Sequence, residues 1–204
     1  MMTDLRFTLH RLRMLLLILC ACFCSFSFVQ AAPIRIVAYG DSGVAGKGVP
    51  KSEAYPAQLE GMLRKKGLDV SVTNAGVNGR TSSDALANLD AAVPAGTAVV
   101  IVQFGVNDVK HGVAPEAVRK NLDAVVSRLK QRGAGVLVVG TPALDLSGVA
   151  AAHGALYVRW GGLPDPRYHV PGDPNNHFNA AGLEVMASRM LPEVGKLIGS
   201  ASRH

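Results

Sequence analysis

The 204 residues are enough for one domain with a real core, and with 49% hydrophobic but only 5% aromatic residues that core rests on Val, Leu, Ile and Ala. Abundant glycine and β-branched runs favour an α/β protein over a helical bundle. The net charge of +6 is spread over scattered positions without interleaved aromatics, a solvated face that excludes a nucleic-acid surface.

Taken in chain order, Arg6, Arg11 and Arg13 form a basic lead, Met14 to Val29 is apolar, and Val29-Gln30-Ala31 offers small residues around a cut. The pattern predicts a signal peptide over residues 1–31, cleaved near Ala31, ahead of a single domain over 32–204. A membrane anchor is the alternative, but the stretch is short for a span, so no stable span is expected after cleavage. A lipoprotein signal is a third reading, since Leu19-Cys20-Ala21-Cys22 loosely resembles a lipobox with an atypical Cys at its second position. All three cysteines lie in this leader, so the mature chain has no disulfide, Cys–zinc site or thiol nucleophile. Its charge becomes +4, from 18 basic and 14 acidic residues. Export without cysteine suits a bacterial periplasm, or secretion beyond it.

Ile34–Tyr39 is a short apolar strand. Ala57 to Lys66 places Leu59, Met62 and Leu63 at helical spacing, and Leu68–Thr73 alternates like a strand. Ser82 or Ser83 is expected to cap a helix bearing Leu86, Leu89 and Val93, stopped by Pro94. Ala98–Phe104 reads as a buried strand. Pro115–Gln131 is the clearest helix, with Val118, Leu122, Val125, Val126 and Leu129 on one stripe. Gly135–Gly140 and Leu156–Trp160 complete the strands, and Asn179 caps a last helix carrying Leu183, Met186, Met190 and Leu191.

Strands alternating with helices, each strand unbroken in its apolar run, predict an α/β fold. It is a three-layer α/β/α doubly wound parallel sheet of about five strands. Such sheets bind ligands beyond the carboxyl ends of their strands. Ser42 and Asn107 follow strand ends directly, as does the segment Asn74 to Ser82, so these three loops are expected to share one rim. His177 opens the last amphipathic segment. A hydroxyl, an amide and an imidazole placed where elements meet loops are the parts of a serine hydrolase. Ser42 needs a neighbour to take its proton, and a neutral imidazole does so near pH 7. The tetrahedral oxyanion then needs inward donors, which the Ser42 N–H and the Asn107 amide could supply.

The glycine-rich stretch Gly40–Gly48 does not make a phosphate loop. Asp41 stands where a Walker loop needs its first glycine, and Gly48 where it needs Ser or Thr. His169, Asp173 and His177 share a four-residue spacing, but Pro171, Gly172 and Pro174 deny them a common helix face. Neither a cofactor nor a metal is therefore expected. His153 and His169 carry no partner pattern, and His111, just after Gly105–Asp108, reads as a surface loop residue, with a place on the rim as the second option.

Four segments together resemble the SGNH (GDSL-type) hydrolases. Gly40-Asp41-Ser42 is similar to the block that holds their nucleophile. Asn74-Ala75-Gly76-Val77-Asn78-Gly79-Arg80-Thr81-Ser82 is similar to the second, in which Gly79 matches the glycine that donates a backbone N–H. Gly105-Val106-Asn107-Asp108 is similar to the G-x-N-D block whose Asn donates to the oxyanion, and the segment from His177 to Gly182 to the block holding the base. The resemblance spans nearly the whole mature chain. It implies a catalytic Ser42 and His177, with an oxyanion hole of Ser42, Gly79 and Asn107. It implies an exported esterase, arylesterase, lysophospholipase or thioesterase acting through an acyl-enzyme on a small or lipid ester. A carbohydrate O-deacetylase, an acyltransferase or a non-catalytic binding module of the same fold are the alternatives.

The chain departs from this pattern in three places. The family's acid stands three residues before the histidine, where this chain has Pro174, and the nearest acid is Asp173, four before. Either a one-residue insertion lets Asp173 orient the ring, or Asp165, a backbone carbonyl or a bare Ser–His pair takes over. Gly43 stands where the family often has Leu, and is expected to tighten the turn. Arg80 beside Gly79 reads as a surface charge, with contact to an anionic substrate group as the second option.

Overall fold

The computed structural model describes residues 32–173 and 176–201; the expected signal peptide lies outside them. Five parallel strands form one sheet: β1 (Ile34–Gly40), β2 (Val70–Gly76), β3 (Val99–Gln103), β4 (Gly135–Gly140) and β5 (Leu156–Arg159), in the order β2-β1-β3-β4-β5. Each successive strand of a βαβ unit returns in the same direction, so both faces must be covered by the connecting helices. One face buries Val37, Tyr39, Val100, Val102, Val136 and Val138. The stripe of the Pro115–Gln131 helix packs here, with Leu89 and Val149 from neighbouring helices. The other face buries Ile36, Ala38, Val99, Ile101, Leu137 and Val139. Leu59 and Leu63 of the Tyr55–Lys65 helix cover it, together with Leu183, Met186, Met190 and Val194 of the Ala180–Ala201 helix. Val and Ile alternate between two apolar layers, which is why these strands read as continuous apolar runs rather than as alternation.

Several expected boundaries move, and the single helix expected through Leu86, Leu89 and Val93 is two, Ser82–Ala87 and Leu89–Ala92, parted at Asn88; two of the shifts have a visible reason. Strand β2 runs to Gly76 instead of ending at Thr73, because its parallel pairing with β1 continues to the Gly40–Gly76 pair. Thr81, not Ser82 or Ser83, caps the following helix. Its Oγ1 accepts from Asp84 N at 3.3 Å, and Asp84 Oδ2 accepts from Thr81 N at 2.9 Å, a reciprocal capping box. Short helices over Ser42–Ala45, Val106–Lys110 and Ser147–Ala152 had no apolar period long enough to announce them. Among the described residues no helix is long and apolar enough to cross a membrane.

The strand order reverses at β1, whose neighbours are β2 on one side and β3 on the other. The loops after these three strands therefore open a crevice at one edge. They carry Ser42, Gly79 and Asn107. Gly76 closes β2 directly against the Ser42–Ala45 helix: a Cβ there would press on the backbone nitrogen of Ala45 and lie 2.7 Å from its Cα. Neither neighbour is a flexible side chain. Gly76→Ala should lower stability by about 1–3 kcal/mol in urea titration and displace the helix that begins at Ser42. A fully stable variant would show that this approach is not tight.

Candidate active site

Ser42 is the first residue of a one-turn helix that starts where β1 stops. Asp41 is its N-cap: Oδ1 accepts from Gly43 N at 2.9 Å, and the Asp41 N–H donates to the Gln103 carbonyl at 3.3 Å. The turn is thus fastened to β3 as well as β1. Being first in its helix, Ser42 has an N–H with no backbone acceptor among the described residues.

His177 arrives from the far end of the chain. An isolated antiparallel bridge pairs His169 with Phe178, and Val170 N donates to the His177 carbonyl at 2.9 Å. Asn179 then caps the last helix, its Oδ1 accepting from Gly182 N at 3.1 Å. This short hairpin turns the imidazole towards β1. Nε2 lies 2.9 Å from Ser42 Oγ, and Nδ1 lies 2.6 Å from Asp173 Oδ2. An ionised carboxylate only accepts, so Nδ1 carries the ring proton and Nε2 is left to accept from the serine hydroxyl. Both side chains are largely sheltered, at 14% and 13% exposed.

The four-residue spacing is absorbed by Asn176. Its φ of 55° is the only positive value at a non-glycine residue among those described. Asparagine tolerates this left-handed geometry better than most residues. The turn closes with Asn176 N donating to the Asp173 carbonyl at 3.1 Å, and the His177 N–H donates to Asp173 Oδ2 at 2.7 Å. One carboxylate oxygen thereby holds both the backbone and the ring of His177. Asp165 is engaged elsewhere: it accepts from Arg167 N at 2.9 Å and pairs with its guanidinium at 3.0 Å.

The remaining expected residues, Gly79 and Asn107, follow β2 and β3, and hydrogen bonds tie these segments to β1 and to each other. Val77 N donates to the Gly40 carbonyl at 3.0 Å, and Asn107 Nδ2 donates to the Arg80 carbonyl at 2.9 Å. Gly79 lies between these two attachments with φ of 79°, its N–H without a backbone acceptor among the described residues. The second Asn107 amide hydrogen remains for another acceptor. Arg80 is not a free surface charge: its guanidinium stacks 5.7 Å from the Tyr39 ring centre.

The cleft beside Ser42 has a volume of about 590 Å³. Trp160, Leu163, Pro164, Phe178 and Leu183 give it an apolar wall, while Lys47 and Lys110 also line it. The Trp160 ring leans on Tyr55 at 5.5 Å and on Phe178 at 5.6 Å. His169 belongs to this wall, with Nε2 2.6 Å from the Leu163 carbonyl and its ring 4.9 Å from Phe178. His111 ends the Val106–Lys110 helix, and His153 pairs with Asp123 at 2.7 Å.

Sequence reading missed Gln103. It is the one polar residue in the buried β3 strand, and that placement was the available signal. Gly43 is explained by it. Gly43 does not have positive φ, so no special turn requires glycine there. Instead a Cβ would collide with Gln103 Nε2, so glycine makes room for the amide rather than tightening the turn.

Residues 38–152 match the sequence model of the GDSL-like lipase/acylhydrolase family. The chain belongs to that family. Esterase TesA of Pseudomonas aeruginosa is 35% identical over 112 residues, which are 54% of this chain and 56% of that protein. The arylesterase of Vibrio mimicus is 31% identical over 114 residues, 55% of this chain and 57% of that one. The matches thus span little more than half of these curated relatives. AlinE4, a solved SGNH-hydrolase family esterase, superposes with a TM-score of 0.57 at 28% identity, covering 82% of this chain and 97% of its own. The family match ends at residue 152, before Asp173 and His177.

Asp41 sets the electrostatics behind the serine. It is 3% exposed, and burial pushes its carboxyl up to about 6; the Gly43 N–H offsets part of that rise. A folded-state value above the unfolded one means that its stabilising share is complete below about pH 4 and is lost as pH rises through 6. Asparagine at this position keeps the acceptor for Gly43 N. Asp41→Asn should match the parent in thermal unfolding at pH 4 and exceed it by about 1–3 kcal/mol at pH 8. An equal difference at both pH values would place the cause elsewhere.

Proposed function

We propose that this chain is an exported serine ester hydrolase that works through an acyl-enzyme. The observation that carries the reading is the continuous line from Ser42 Oγ through the His177 ring to Asp173, at 2.9 and 2.6 Å. Ser42 Oγ attacks the acyl carbonyl while Nε2 takes its proton. Asp173 holds the ring in the required tautomer and stabilises the imidazolium. The carbonyl oxygen becomes an oxyanion, met by the Ser42 N–H, the Gly79 N–H and Asn107 Nδ2. Such donors act on charge that exists only after attack, so they lower the barrier rather than tighten ground-state binding. The leaving alcohol takes the proton from Nε2. Water, deprotonated by the same nitrogen, then releases the acid and restores Ser42.

The apolar wall formed by Trp160, Leu163 and Phe178 suits an acyl chain or aryl group, which favours arylesterase or lysophospholipase-like substrates over acetylated sugars. The basic, apolar leader supports export, and export disfavours acyl-CoA, a cytoplasmic thioester, as the natural substrate.

The test is hydrolysis of p-nitrophenyl esters of graded chain length by the purified domain. Ser42→Ala should lose about 10³-fold or more in kcat. Equal rates in parent and variant would remove Ser42 from the reaction. Asp173→Asn should retain the fold and lose about 10²- to 10⁴-fold in kcat, because the ring is then free to take the wrong tautomer. An unchanged rate would reduce the machinery to a Ser–His pair.

A further inference from the structure

Two neighbouring residues of the loop after β3 grip the loop after β2 at two points. Asn107 binds the Arg80 carbonyl, and Asp108 holds Ser82. Asp108 Oδ1 and Oδ2 accept from the Ser82 N–H at 3.1 and 2.9 Å, and Oδ1 also accepts from Ser82 Oγ at 2.6 Å. Ser82 Oγ in turn accepts from Asn121 Nδ2 at 3.0 Å, which anchors the set to the long helix Pro115–Gln131. Asp108 is 1% exposed and Ser82 is fully buried. A carboxylate taken out of water is costly unless donors surround it, and three hydrogen bonds from one residue meet that need. Breaking one would leave a buried charge short of partners.

The grip has a geometrical consequence. Gly79 is followed by Arg80, held by Asn107, and two residues later by Ser82, held by Asp108. The peptide N–H of Gly79 and the amide of Asn107 belong to different loops. These two attachments tie the segments together. We propose that Asp108 is a positioning residue. It sets the distance between the Gly79 N–H and the Asn107 side chain so that both converge on one oxygen. This rests on the reading of those two groups as oxyanion donors. Asp108 itself is tied up beneath the loop and touches no substrate.

Asp108→Asn keeps the shape but turns one acceptor into a donor facing Ser82. The expected loss is about 10- to 100-fold in kcat with KM within about twofold, the split of a misaligned transition-state donor. A role in folding alone would lower the unfolding temperature and leave kcat per folded molecule unchanged, which would overturn the proposal. In an Asn107→Ala background, Asp108→Asn should cost less than about threefold more, since both act on the same oxyanion site; fully multiplicative losses would overturn it. Should Asp108→Asn not fold, Ser82→Ala keeps the N–H and removes the hydroxyl link. It should lose roughly 3- to 10-fold in kcat with the same KM split, and wild-type turnover would overturn the proposal. In the soluble variant, ¹⁵N NMR should show shifted Gly79 N–H and Asn107 side-chain resonances, and unmoved resonances would overturn it. This readout does not depend on turnover. If Ser42→Ala keeps full activity, the hydrolase reading fails while the resonances still decide what Asp108 holds in place.

Discussion

The structure turns on one imidazole held from both sides. His177 stands between a carboxylate four residues before it and a hydroxyl 135 residues before it. The first contact is local and closes within a turn. The second exists only because the whole sheet has formed and the last helix has returned to its face. Ser42, Gly79 and Asn107 follow three strand ends, and each segment is pinned by a hydrogen bond to a neighbour: Asp41 to Gln103, Val77 to Gly40, Asn107 to Arg80. Rigidity at these points is what lets groups remote in sequence share one reacting centre.

Much of the frame was legible in advance, and for a simple reason. Buried parallel strands have no polar face, so Ala98–Phe104 and Gly135–Gly140 stand out as unbroken apolar runs. The 3.6-residue stripe of Pro115–Gln131 is long enough to be unambiguous. What could not be read are the places decided by a single tertiary contact. Ser82 looked like a helix cap and is instead buried under Asp108, which left the cap to Thr81. Gly43 looked like a turn residue and proves to be a clearance for Gln103. One-turn helices such as Ser42–Ala45 carry no period at all.

The acid was the hardest residue to assign from sequence, because a count of positions to His177 says nothing about the path between them. Pro174 occupies the usual place, and three candidates remained for the role. Asn176, just before His177, is left-handed, and both the ring and the backbone N–H of His177 meet one oxygen of Asp173. The polar set behind the serine is costlier. Asp41 Oδ2, the Tyr55 hydroxyl and Gln103 Oε1 are buried without a hydrogen-bond partner among the described residues. Such groups concentrate where chemistry, rather than stability, has set the choice of side chain.

The order of the parts along the chain has its own consequence. Ser42 follows the first strand, whereas His177 follows all five. The hydroxyl therefore meets its imidazole partner only once the chain beyond the last strand has been made. The stretch that identifies the family, residues 38–152, holds Ser42 and Asn107 but neither His177 nor Asp173.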